Sequence, residues 1–111
     1  MEKYIIEVKS NPTEGNEDAY NQWYSDTHLT EVLQVPGFIS AQRFKVDADQ
    51  APEPPKYKYL AIYEVEADEP MDVLHVLAQA TAEGKIVTSD TLDLTDISTI
   101  IYKPITEKVL A

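Results

Sequence analysis

A chain of 111 residues is long enough for one core and too short for two, so residues 1–111 are read as a single domain. With 20 acids against 9 bases the net charge is −11, and Arg43 is the only arginine, which argues against nucleic acid or an anionic membrane surface as partner. The absence of Cys excludes disulfides and thiolate metal sites and fits a reducing, cytoplasmic compartment.

The chain opens with Glu2 and Lys3 before a short apolar run, Tyr4 to Ile6, which is neither a signal peptide nor a membrane span. A first strand is predicted from Lys3 to Lys9. Asn11-Pro12-Thr13-Glu14-Gly15 marks a turn, and Asn16 is placed to cap a helix whose first turn carries Glu17 and Asp18. That helix runs to about Val35 and is stopped by Pro36-Gly37. Phe38 to Val46 reads as a second strand and Tyr57 to Glu66 as a third. Between them Asp47 to Pro55, with Pro52, Pro54 and Pro55, forms the tip of a long hairpin. Pro70 suits the first turn of a second helix capped by Asp68 or Glu69. Its expected apolar face is Met71, Leu74, Leu77, Ala78 and Thr81, and Gly84 is its stop. Lys85 to Asp96 looks like an extended loop, Ile97 to Lys103 a fourth strand, and Pro104 begins a tail. The order β-α-β-β-α-β predicts an α+β, ferredoxin-like protomer: a four-stranded antiparallel sheet with two helices on one face.

The strands do not alternate cleanly. Tyr4-Ile5-Ile6, Tyr59 through Tyr63, and Ile100-Ile101-Tyr102 are apolar in succession, so both faces of the sheet read as buried. Two helices cannot cover both. A homodimer joined face to face answers this, and the alternative is a tail, Ile105 to Leu110, folded back over the open face.

The first helix changes phase. Ala19, Tyr20, Trp23, Tyr24 and Thr27 share one face, whereas Leu29, Val32 and Leu33 form a set far around the axis. A kink, a bulge or a restart at Thr30 realigns them, and His28 sits at the seam. The alternative is a straight helix with Leu29 and Leu33 facing a partner or the tail.

His28 is the candidate general base or acid, because imidazole titrates near neutrality. Tyr24, one turn earlier, is the candidate hydrogen-bond donor to a carbonyl or enolate oxygen. Tyr20 and Trp23 are candidates to wall a flat apolar ligand, as are Tyr59 and Tyr63 together with Tyr57 on one strand face. Arg43 is the candidate partner for a carboxylate or phenolate. Against these stand plainer readings: a core His bonded to a backbone carbonyl, aromatics that only pack, and an Arg in a surface ion pair. Glu31 and Glu64 can orient His28 only if they turn inward; otherwise they are solvated. His75 reads as surface or boundary. No metal is expected, since the two His residues lie on different helices without His-x-x-x-His spacing.

Asn21-Gln22-Trp23-Tyr24, His28, Glu31-Val32-Leu33 and Val35-Pro36-Gly37-Phe38, with Ser40 to Phe44 and Ile101-Tyr102, resemble the EthD-like branch of the dimeric α+β barrel superfamily. Thr30 stands where many relatives have Pro. The resemblance implies a ferredoxin-like protomer, a homodimer, and a cavity between sheet and helices. The superfamily includes cofactor-independent polyketide cyclases, small monooxygenases, muconolactone-type isomerases and haem-degrading enzymes. Haem fits poorly here, because one Arg offers little for its propionates.

The expected function is a small enzyme without a cofactor, acting by proton transfer on an aromatic or polyketide-like molecule. His28 is its base and Tyr24 its oxyanion donor. A non-catalytic dimeric module binding a small hydrophobic molecule, and a cofactor-free monooxygenase, are the alternatives.

Overall fold

Side-chain alternation fixes which way each strand faces. In β1 (Glu2–Ser10), Tyr4, Ile6 and Ser10 are buried, and residues two apart share a face. Strand β3 (Tyr59–Ala67) pairs antiparallel with it, setting Tyr63 opposite Ile6 and Val65 opposite Tyr4. Tyr59, Ala61, Tyr63, Val65 and Ala67 therefore extend the same inward face, and all are buried. β2 (Phe38–Lys45) flanks β3 and β4 (Ser98–Tyr102) flanks β1, giving the order β2-β3-β1-β4 with every pairing antiparallel. These pairings come from a computed structural model that describes residues 2–47 and 53–111. The middle of the expected hairpin tip, with Pro52, lies outside the described residues.

The predicted β-α-β-β-α-β order is the observed one, and each strand lies within two residues of its expected bounds. Asn16 occupies the N-cap position, but its side chain makes no capping bond. Its Nδ2 instead donates to Thr13 Oγ1 at 2.8 Å, which stiffens the turn before the helix.

The first helical rod is α1 (Glu17–Trp23), a π-helical turn (Tyr24–His28) and α2 (Leu29–Leu33), run together without a break. The Leu29 N–H donates to the Tyr24 carbonyl five residues back, which is the π-type bond. This turn absorbs one extra residue. A regular helix would set Val32 about 120° from Tyr20; removing one step leaves about 20°. Tyr20, Tyr24, Val32 and Val35 are accordingly all buried. The phase break expected around His28 and Thr30 is thus a π turn that ends at His28, and the rod stays continuous.

The second helix, α3 (Pro70–Ala82), starts at Pro70 as expected, with Glu69 at its N-cap making no side-chain bond. Its buried residues are Val73 and Ala80, so the expected face is turned. Leu74 and Leu77 are half-buried, whereas Met71, Ala78 and Thr81 are exposed. Val73 packs beside Gly37, whose φ is +98° and where a Cβ would come within 3.1 Å of the Glu66 carbonyl oxygen, so only glycine fits there without strain. Val73 lies against the space left open, its Cγ2 being 3.6 Å from that Cβ position. Gly84, at φ +77°, follows the end of α3.

In β2 the register slips between Phe38 and Ser40, leaving Ile39 as the extra residue. This bulge lets Phe38 and Ala41 both face inward although they are three apart.

The outward face keeps apolar side chains uncovered: Ile5, Phe44, Ile100 and Tyr102 are all exposed. The tail does not cover them, since its own Ile105 and Leu110 are 94% and 81% exposed.

The connection from α3 to β4 is pinned rather than loose. Leu92 bridges to Pro12, Thr13 N–H donates to the Thr91 carbonyl at 2.7 Å, and Asp93 N–H donates to the Asn11 carbonyl at 3.0 Å. Among the described residues no helix is long and apolar enough to cross a membrane.

Candidate functional site

The inward sheet face, the first rod, α3 and the pinned connection enclose a cavity of about 220 Å³. Ile6, Val8 and Tyr63 form its floor, Tyr24, His28 and Val32 one wall, and Leu74 and Leu77 another. Ile86, Leu92, Leu94 and Ile97 supply the remaining side. Leu94 and Ile97 are exposed as well as cavity-lining, so they mark the mouth. Polar groups are few: Ser10, Thr81, Thr88 and Thr99 beside the Tyr and His side chains.

His28 is held by aromatic rings. Trp23 stacks on the imidazole with centroids 4.6 Å apart at 29°, and Tyr24 meets it edge-on at 4.9 Å. In a regular α-helix residues five apart point about 140° away from each other. The π turn is what brings Trp23 and His28 together. The imidazole Nδ1 is buried without a hydrogen-bond partner among the described residues. Burial, with a smaller contribution from the Arg43 guanidinium, lowers the His28 pKa to about 4, so the ring is neutral at pH 7. A neutral imidazole keeps one nitrogen unprotonated, and this one lines a mostly apolar space.

Tyr24 and Tyr63 stand beside it. Burial raises the pKa of both hydroxyls. For Tyr24 the neighbouring Tyr63 hydroxyl pulls the other way; for Tyr63 the Tyr24 hydroxyl pushes it higher still. Both phenols stay protonated across the neutral range.

Four of the predicted site residues stand apart from the cavity wall. Tyr20 is fully buried, its hydroxyl paired with Ser10 Oγ at 2.7 Å and its ring tilted against Tyr59. The Tyr59 hydroxyl donates to Glu17 Oε2 and accepts from Asn21 Nδ2 at 2.9 Å. Arg43 donates to Ser25 Oγ at 2.8 Å and Asn21 Oδ1 at 3.0 Å, with its guanidinium 4.4 Å from the Tyr24 ring centre. Trp23 does not line the cavity and meets the site through His28 and, edge-on at 5.3 Å, through Tyr24. Tyr57 precedes β3 and donates to Asp96 Oδ1 at 2.6 Å. Glu64 and His75 are exposed, whereas Glu31 has one carboxylate oxygen buried and unpartnered.

The sequence reading missed the side of the cavity built by the α3–β4 connection. Its signal was present as Ile86, Leu92 and Leu94, apolar residues in a segment otherwise rich in Thr, Ser and Asp.

A family model described as a domain of unknown function, DUF4286, matches residues 3–83. The chain belongs to the DUF4286 family. Among solved structures it is similar to an EthD-like protein from Ralstonia eutropha JMP134, with TM-score 0.66 and 18% identity over 97% of this chain and 96% of that one. A Shewanella loihica PV-4 protein proposed to be a monooxygenase gives TM-score 0.64 and 15% identity, over 96% and 97%. An ethyl tert-butyl ether D (EthD) family protein from Bacillus halodurans C-125 gives 0.57 and 14%, over 95% and 100%. At such identities the likeness shows the fold, and it agrees with the EthD-like resemblance read from Trp23 to Phe44. A search of curated protein sequences returns no match.

Proposed function

We propose that this DUF4286 protein is a cofactor-independent enzyme that moves a proton on a small, mostly apolar carbonyl compound. The observation that carries this is the neutral, unpaired imidazole of His28 in an apolar cavity beside two protonated phenols. A satisfied core does not need such a group.

His28 takes a proton from carbon next to the carbonyl. The electron pair moves onto the carbonyl oxygen, and Tyr24 donates a hydrogen bond to the resulting enolate. Tyr63, protonated and lining the same cavity, is a second phenol within that space. The imidazolium then returns the proton to the same or a neighbouring carbon, so nothing is consumed. A conjugate acid near 4 is weak for an isolated base, but a developing enolate reverses the penalty. Its negative charge stabilises the imidazolium across a medium that screens poorly.

Size narrows the substrate. A cavity of about 150 Å³ holds benzene. The 220 Å³ here suits one substituted ring or a short branched chain. His28→Ala should abolish turnover of cyclic ketones and enones while the circular dichroism spectrum stays unchanged. Full activity in that variant would refute the assignment.

A second reading, a cofactor-free monooxygenase, draws on the name given to the Shewanella loihica neighbour. Oxygen consumption separates it from proton transfer, and recovery of an unchanged ligand indicates a binding module. The exposed Ile5, Phe44, Ile100 and Tyr102 support a homodimer through the outward face. Light scattering on the wild type and on Phe44→Lys tests that assembly.

A further inference from the structure

Two buried side-chain atoms lack a hydrogen-bond partner among the described residues: His28 Nδ1 and Glu31 Oε1. They lie three residues apart on one rod, with α2 beginning between them. That spacing puts side chains on neighbouring positions, with Cβ atoms about 5–6 Å apart. One atom can carry a proton and the other can only accept one. Each supplies what the other lacks.

Among the described residues no cation is paired with the carboxylate. Glu31 lines a hollow between α2 and α3, and Lys85, which also lines it, is held by Glu83 at 3.0 Å. Nothing else titratable faces the imidazole from α3, whose contributions to the cavity are Leu74, Leu77 and Thr81. From the first rod and the sheet it faces Trp23, Tyr24, Tyr63 and Arg43.

We infer that Glu31 is the positioning partner of His28, its carboxylate turning to accept the Nδ1–H bond and so holding Nε2 unprotonated toward the cavity. The pairing rests on the reading of His28 as the proton-transfer base, and it adds three things to it. It fixes the tautomer. It sets the ring plane against Trp23. It also offers a counter-charge when the ring is protonated, as a carboxylate beside a histidine does in other settings.

The test needs no substrate. Imidazole ¹⁵N–¹H spectra of the full chain report tautomer and pKa, with His28 told from His75 by the His28→Gln variant. In the wild type His28 should be protonated on Nδ1 and titrate at least about one unit above the value of the unpaired ring. Glu31→Gln keeps an acceptor and loses the charge, so the tautomer should persist while the pKa falls. Glu31→Ala loses both, and the ring should titrate near 4 as a mixture of tautomers. A merely structural Glu31 would not separate these two readouts. Unchanged tautomer and titration in both folded variants would overturn the pairing. Absence of turnover with the coupling present would count against the enzyme reading alone. Turnover lost in His28→Ala but untouched in Glu31→Ala would count against the pairing alone.

Discussion

Two aromatic clusters share the same rod and the same sheet face, and they differ in how their polar groups are spent. At the Tyr20 end every group is engaged. Tyr20 meets Ser10, Tyr59 meets Glu17 and Asn21, and Arg43 meets Asn21 and Ser25 while lying over three Tyr rings. At the His28 end, about two turns along, Nδ1 is unpartnered among the described residues. A buried polar group left open costs about 1–3 kcal/mol. A chain that closes one cluster completely has the means to close the other, so the open end is where binding energy is to be found.

The contrast is broken most sharply by His28→Ala. Turnover should fall by roughly 10²–10⁴-fold, as for loss of a general base, with little change in the unfolding midpoint. Arg43→Ala should do the reverse. It removes hydrogen bonds and ring contacts, so urea denaturation should show about 2–3 kcal/mol of lost stability. A pair of Tyr→Phe variants sharpens the comparison further. Tyr20→Phe strands the buried Ser10 hydroxyl and should cost about 1–2 kcal/mol, whereas Tyr63→Phe should cost less than about 1 kcal/mol and slow turnover roughly tenfold.

The smallest effect is in acid. Unfolded His takes up a proton near pH 6.5, and folded His28 in its unpaired arrangement refuses one until about 4. Between those values the unfolded chain binds more protons, so stability is full above the window and is lost as pH falls through it. The loss should be on the order of 1–2 kcal/mol, allowing for partial exposure of the ring. Urea midpoints at pH 7 and 4.5 should show this slope vanish in His28→Gln. Glu31→Ala, with no carboxylate to support the imidazolium, should show this loss in full, and the paired wild type a smaller one.

The strands and the turn at His28 were legible because both are matters of period. Apolar runs marked the strands, and two stripes out of phase on one helix required an irregularity between them. The face of α3 was not legible, because it depends on what the helix packs against: Val73 lies beside Gly37, on another element. Nor was the division between Tyr63 and Tyr59. Both lie on one strand face, and only the placement of Glu17 and Asn21 closes the second of them off. Arg43 has the same history. Its charge invited an anionic substrate, but the Asn21 and Ser25 acceptors are a helix away in sequence and adjacent in space.

The mouth of the cavity is made by Leu94 and Ile97, on a segment anchored to the β1–α1 turn rather than built into the sheet. Entrance and imidazole therefore belong to separate parts of the chain: the side chains at the mouth lie outside every strand register and outside the helix that carries His28.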